Sequence, residues 1–213
     1  IRNSQIVDGF FLGLAPSYRY TKVDDGNNPR DGWKSRLGFN PTWGFGDIES
    51  YTKLNASTTK FFPVGKSSSV LINFRGGYEL LGDIPQFAKY RLGTNAGVRG
   101  YRQFSELGVG NKLLISTAEF RTPIYKVVPP LKKYKLLKNL DFAVFADFGV
   151  IGGDIRLNRL TDRLSQAASV GFGLRVKIPL IGALRVDLGF PLIDALTGSD
   201  RLFRFNFGPA NFF

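Results

Sequence analysis

The sequence predicts an all-β protein, and more specifically a transmembrane antiparallel β-barrel. Apolar and polar residues alternate with the two-residue period of strands in four consecutive segments, at residues 140–150, 165–178, 184–190 and 203–208. The predicted strands run to about 9–14 residues, which suits the roughly 9–11 residues that a membrane-crossing strand needs. Glycines recur on the polar faces, and the chain ends in an aromatic-rich stretch, LFRFNFGPANFF.

The segment at residues 140–150 shows the alternation most clearly. Its apolar face includes Phe142, Phe148 and Val150, whereas Asp141 and Asp147 lie on the other face. The first half of the chain is less regular, but it supplies further candidate strands near residues 10–20, 37–45, 51–62 and 70–78, followed by one at 113–124. We therefore expect roughly nine strands, separated by turns and by long loops.

A soluble β-sandwich would show the same alternation. In a sandwich the apolar faces meet each other and the polar faces meet water, whereas in a barrel the apolar faces meet lipid and the polar faces line a lumen. Alternation alone leaves both folds open. The long strands, the glycines on the polar faces and the aromatic final strand favour the barrel.

The composition narrows the chemistry that this chain can perform. Its 213 residues include no Cys, Met or His, so it has no disulfide, no thiolate nucleophile and no histidine base or metal ligand. The composition leaves open an enzyme that uses Ser, Tyr, Lys, Asp or Glu, whereas the barrel hypothesis predicts no enzymatic activity, no catalytic residues, no metal and no cofactor. The net charge of +12 is compatible with either nucleic acid or an anionic membrane surface. A basic sandwich that binds nucleic acid is the soluble alternative, and the barrel hypothesis predicts no nucleic-acid partner.

The long loop predicted at residues 82–111 contains the sequence IPQFAKYRLGTNAGVRGY. This stretch resembles the signature of the Omp85 superfamily, also called the bacterial surface antigen D15 family, which includes the BamA-like outer-membrane barrels. The matching residues are Ile84-Pro85, Phe87, Tyr90, Leu92-Gly93 and the tetrad Val98-Arg99-Gly100-Tyr101. Thr94 departs from the pattern, since the family commonly has a second glycine there.

The resemblance continues through most of residues 27–213. NNPRDGWKSRLGF, STAEFRTPIY, FADFG and GFGLRVKIPLIGALRVDLGFPL are similar, in that order, to further elements of the family barrel. The resemblance implies that residues 1–213 form one Omp85-type barrel domain: the C-terminal roughly nine strands of a sixteen-stranded barrel, with a long loop folded into the lumen. The N-terminal strands and the periplasmic POTRA domains of the family would then lie outside this chain.

The resemblance also implies a function and a location. Family members are integral proteins of the outer membrane of Gram-negative bacteria or of plastid and mitochondrial outer envelopes, and they insert or translocate proteins through a barrel with a lateral seam. The implied partners are membrane lipids, unfolded outer-membrane or secreted clients, and accessory assembly proteins. Two alternatives remain open within the family: a two-partner-secretion pore, and the barrel anchor of an upstream patatin-like hydrolase.

The resemblance assigns site residues as well. In the family the tetrad arginine pairs with acids on the inner walls of the next two strands, which implies that Arg99 meets Glu119 and Asp147. Val98, Arg99, Gly100 and Tyr101 would then lock the loop inside the lumen. A guanidinium can hold two carboxylates through its planar fork of donors, and glycine allows backbone conformations that a Cβ would penalise. A purely structural role for this contact is the alternative.

The aromatic residues of the final strand suggest one further role. Phe203, Phe205, Phe207 and Phe213 resemble the C-terminal targeting signal of bacterial outer-membrane proteins, which ends in an aromatic residue and is read by the insertion machinery. These residues would also suit the lipid-facing positions of a last strand. Both roles are compatible with the alternating pattern.

Overall fold

The computed structural model describes residues 8–93, 97–101, 108–134, 137, 139–153, 165–178, 182–193 and 203–209. Nearly all regular structure in these ranges is β-strand. The strands are β1 (Gly9–Gly13), β2 (Ser17–Val23), β3 (Gly32–Gly46), β4 (Tyr51–Val64), β5 (Ser68–Gly82), β6 (Tyr90–Arg91), β7 (Val109–Gly110), β8 (Lys112–Pro123), β9 (Leu140–Gly152), β10 (Ser165–Ile178), β11 (Gly182–Pro191) and β12 (Arg204–Pro209). One short helix, α1 (Ile124–Val127), precedes a 3₁₀ turn at Pro129–Lys133. Among these residues no helix has the length and apolar character to cross a membrane.

Ten strands form one antiparallel sheet. Its order is β1-β3-β4-β5-β8-β9-β10-β11-β12, and β2 also pairs with β3. β1 and β2 occupy two ends of the same edge, because Gly13 is opposite Thr42 and Ser17 is opposite Gly38. They behave as one strand interrupted near Pro16, which has no N–H to donate. With β1 and β2 counted as one interrupted strand, the sheet is nine strands wide, in agreement with the roughly nine strands that the sequence predicts.

Burial shows which face of the sheet points inward. In β9 the acidic residues Asp141 and Asp147 are buried, whereas the exposed fraction of Val144 is 47%. β10 follows the same rule, with Arg175 buried and Phe172 44% exposed. A soluble sandwich would bury the apolar face and expose the charges. The reverse arrangement, charged inside and apolar outside, is that of a membrane barrel, so the barrel prediction is confirmed.

β4 explains why the alternation is weak in the first half. Phe61 lies on the inner face and is buried, while its neighbour Lys60 lies on the outer face. The Lys60 ammonium reaches the neighbouring aromatic ring, with Nζ 5.7 Å from the ring centroid of Phe62. Long lysine side chains can cover apolar surface in this way, so a charge on the outer face breaks the sequence pattern without breaking the strand.

Phe172→Arg tests the assignment of the outer face. Phe172 packs between the rings of Phe142 and Phe190 on that face. We expect the substitution to lower the free energy of unfolding in lipid vesicles by about 2–4 kcal/mol, since arginine on the lipid face of a barrel is penalised by that amount near the membrane midplane. Urea titration measures this, with Phe172→Leu as the control. Unchanged or increased stability of Phe172→Arg would mean that the face meets water.

Candidate functional site

Described residues of the segment between β5 and β8 lie against the inner face of the sheet. Its apolar residues Leu92, Val98 and Tyr101 pack with wall residues of β8, β9 and β10 in one buried cluster. The wall residues of this cluster are Ile115, Ile151 and Ala167. The loop therefore has a hydrophobic contact with the wall in addition to any ionic one, and this burial places the backbone of residue 99 beside the charged part of the inner face.

Arg99 is fully buried, and Asp147 of β9 accepts three of its hydrogen bonds. Nε and Nη2 donate to the two carboxylate oxygens of Asp147 at 2.7 and 2.8 Å. The backbone N–H of Arg99 donates to the same carboxylate at 3.0 Å, and the hydroxyl of Thr117 donates to it at 2.9 Å. Asp147 thus fixes both the side chain and the main chain of the loop at this point.

Glu119 of β8 accepts from the other side of the guanidinium, at 2.6 Å from Nη1. The same carboxylate also accepts from Arg121, at 2.7 Å from Nε, and from Arg175, at 2.7 Å from Nη2. The structure therefore places Arg99 in contact with both acids that the resemblance implies. It also shows that Glu119 is shared among three arginines.

Three members of this network were not expected: Arg121, Arg175 and Asp187. Asp187 of β11 lies 3.4 Å from Nη1 of Arg99 and accepts a short hydrogen bond from Arg175. The sequence did contain a signal for them, because each lies on the polar face of an alternating strand. We call Arg99, Glu119, Arg121, Asp147, Arg175 and Asp187 the loop-wall network.

The electrostatics of the network keep Arg99 charged. Burial alone would lower the pKa of its guanidinium, but the hydrogen bonds to Asp147 and the charges of Glu119 and Asp187 outweigh burial and raise that pKa above its usual range. The ring of Phe145 adds a cation–π contact, with its centroid 3.4 Å from Cζ of Arg99. Arg99 therefore stays positively charged, and the stability of the network depends on the negative charges of the carboxylates around it.

The loop backbone touches the wall where the wall has no side chain. A Cβ on Gly189 of β11 would lie 2.6 Å from the nitrogen and 2.7 Å from the Cα of Gly100. Gly100 itself has φ +89°, a conformation that residues with a Cβ rarely adopt. Glycine is thus required on both sides of this contact. Tyr101 follows at once, and its hydroxyl lies 2.8 Å from the carbonyl oxygen of Ala168.

A second contact joins the early part of the loop to β4 and β5. The ring of Tyr90 covers Gly77, where a Cβ would lie 2.5 Å from the ring atom Cε1. The Tyr90 hydroxyl donates to Oδ1 of Asn55 at 2.9 Å, and Lys53 donates to the carbonyl of Ala88 at 2.7 Å. Burial raises the pKa of Tyr90 to about 12, so this hydroxyl remains a donor at physiological pH. The loop is therefore anchored at two places on the inner face.

Gly77→Ala tests the second anchor. We expect overpacking against the Tyr90 ring to lower the free energy of unfolding by about 1–2 kcal/mol. The matched control is Gly76→Ala, because a Cβ on the adjacent Gly76 meets nothing closer than 3.7 Å. In a Tyr90→Ala background Gly77→Ala should have no effect. An equal loss in both backgrounds would show that the ring does not contact Gly77.

The final strand faces outward. Phe203, Phe205 and Phe207 are exposed, and Phe205 and Phe207 lie opposite Leu188 and Val186 of β11. This position suits lipid contact, while the targeting role stays a prediction. Phe213 lies outside the described residues.

A sheet that is apolar outside and charged inside, with a chain segment bound to its inner face, has the arrangement of the wall of an outer-membrane-type β-barrel. The model of the Omp85 superfamily domain matches residues 10–213. The chain belongs to the Omp85 superfamily.

Comparison with solved structures agrees with this family. The crystal structure of BamA from Haemophilus ducreyi lacking POTRA domains 1-3 superposes with a TM-score of 0.69 at 16% sequence identity. The similarity covers 91% of this chain and 41% of that chain, so this chain spans about two fifths of the BamA chain that it matches. A search among curated proteins finds no match.

Proposed function

We propose that this chain is the barrel part of a factor that inserts or translocates polypeptides at an outer membrane. The observation that carries the proposal is the loop bound to the inner wall through Arg99, which hydrogen-bonds to β8 and β9. A segment held there occupies the lumen, and such a barrel is poorly suited to passive diffusion of solutes. The loop-wall network would hold the barrel in a defined shape while polypeptides are inserted or translocated.

In this proposal clients enter beside β12. This strand pairs with β11. Its other edge would lie at the lateral seam of the full barrel, beside strands outside this chain, where an extended client strand can pair by β-augmentation. The proposed partners are therefore membrane lipids, unfolded outer-membrane or secreted polypeptides, and accessory assembly proteins.

The proposal is tested with the full-length protein in proteoliposomes. An unfolded outer-membrane barrel and an unfolded secreted polypeptide are added separately, and folded or enclosed client is measured by protease resistance. We expect the barrel client to become folded in the membrane and Arg99→Glu to abolish most of this activity. Lys60→Ser, which removes a charge from the outer face, is the matched control and should behave as wild type.

The outcomes separate the proposal from its alternatives. Protection of the secreted polypeptide alone would support a two-partner-secretion pore. Ester hydrolysis by the full-length protein would support the barrel anchor of a hydrolase. If neither client is protected beyond the level of empty liposomes, the proposed function is wrong.

A further inference from the structure

A row of arginines crosses the inner face of β2–β5, away from the loop-wall network. The strand register aligns Arg19 of β2 with Arg36 of β3, Arg36 with Ser57 of β4, and Ser57 with Arg75 of β5. These four residues lie side by side across four neighbouring strands. We call them the arginine row.

The arginine row has a surplus of positive charge. Arg19 and Arg36 are exposed to the lumen side, and neither makes a hydrogen bond or an ion pair in the part of the chain that the structure describes. The one carboxylate on the described inner face of β2–β5, Glu79, accepts the backbone N–H of Ile84. Like charges directly opposite each other on neighbouring strands destabilise a sheet. Among the described residues, Arg19 and Arg36 therefore repel each other with no other carboxylate on β2–β5 to offset the repulsion.

A cavity of about 410 Å³ opens beside the row, a volume within the range of small-ligand sites. Its polar lining includes guanidinium and hydroxyl groups, which come from Arg36, Arg75, Ser17 and Ser57. The Tyr90 hydroxyl and the Asn55 amide also line it, but they already donate to Asn55 and to Asn40. Guanidinium groups bind carboxylate and phosphate oxygens through paired, charge-assisted hydrogen bonds, so the lining matches the chemistry of an oxyanion.

We propose that the arginine row is a binding site for an oxyanion, a phosphate or a carboxylate group, presented in the barrel lumen. The anion lies in this cavity against Arg36, Ser57 and Arg75. Arg19, which is paired with Arg36 on the neighbouring strand, lies at its margin, so the anion also screens the repulsion between Arg19 and Arg36. This site uses none of the loop-wall residues, and it stands whether or not the protein inserts or translocates polypeptides.

Calorimetric titration of the full-length protein in non-ionic detergent tests the site. Sodium tripolyphosphate and a hexaglutamate peptide are titrated separately at one fixed ionic strength, so that the two sources of oxyanion are distinguished. We expect saturable binding of at least one probe, and at least tenfold weaker binding by the double variant Arg19→Ser/Arg36→Ser. The matched control, Lys22→Ser/Lys60→Ser, removes two cations from the outer face and should bind as wild type.

Binding of tripolyphosphate alone assigns the site to phosphate, and binding of hexaglutamate alone assigns it to carboxylate. If neither probe binds, or if both double variants lose binding equally, the proposal is overturned. A second measurement uses no ligand. Because the substitution removes like-charge repulsion, Arg19→Ser/Arg36→Ser should unfold at a higher midpoint temperature than wild type without anion. A lower midpoint would show that the arginines have partners within the full-length protein and would also overturn the proposal.

Discussion

Arg99→Ala is expected to lower the free energy of unfolding of the full-length protein by about 3–5 kcal/mol, the usual effect of removing one partner from a buried ion pair. Of the hydrogen bonds to Asp147 described above, the substitution would leave those from the backbone N–H of residue 99 and the hydroxyl of Thr117. Glu119 would keep Arg121 and Arg175, so Asp147 carries most of the expected loss. Urea titration in lipid vesicles measures the change.

Arg99→Lys is the informative companion to this variant. It retains the positive charge, but an ammonium cannot reproduce the planar fork that contacts Asp147 with Nε and Nη2 and Glu119 with Nη1. We expect Arg99→Lys to recover less than half of the loss caused by Arg99→Ala. Wild-type stability of Arg99→Lys would mean that charge alone matters here, and wild-type stability of Arg99→Ala would mean that the loop is not bound to the wall.

Gly189→Val is the second large effect that we expect. The added side chain would occupy the position of the Gly100 backbone, whose nitrogen and Cα lie within 2.7 Å of a Cβ on Gly189. Backbone cannot rotate away as a side chain can, so the loop must leave the wall locally. We expect a loss of about 3 kcal/mol or more, at the upper end of overpacking effects. Hydrogen exchange should then increase across residues 97–101.

Gly76→Val is the matched control for this prediction. Gly76 is also a strand glycine, but it faces outward, and a Cβ there would lie 3.7 Å from the nearest atom. It should leave exchange at residues 97–101 unchanged. Equal exchange in Gly189→Val and wild type would show that the Gly100–Gly189 contact is absent from the folded protein.

Much of the fold follows from local sequence pattern. The alternation around Asp141, Phe142, Asp147 and Phe148 predicts both a strand and the division of its residues between two faces. The pattern does not say which face points inward, because sandwich and barrel share it. The burial of Asp147 beside the exposure of Phe148 decides this, and burial is a property of the assembled sheet.

The site was predictable only in part, for a related reason. The resemblance in the tetrad implied Arg99 with Glu119 and Asp147, and these three residues are in contact. Arg175 and Asp187 join them because of the pairing between β10 and β11, in which Asp187 lies opposite Gly173. Strand register is a long-range property that no local period contains. The contact between the Tyr90 ring and Gly77 could not be predicted from the sequence for the same reason, since it depends on the path of the loop.

The most direct test of the central claim, that Arg99 binds the loop to the wall, is a double-mutant cycle between Arg99→Ala and Asp147→Ala. The free energy of unfolding of the full-length protein is measured in lipid vesicles for wild type, both single variants and the double variant. The two side-chain hydrogen bonds between the residues predict a coupling energy of about 2–3 kcal/mol, at the upper end for residues in direct contact. A coupling energy below about 0.5 kcal/mol, the level of independent sites, would contradict the account.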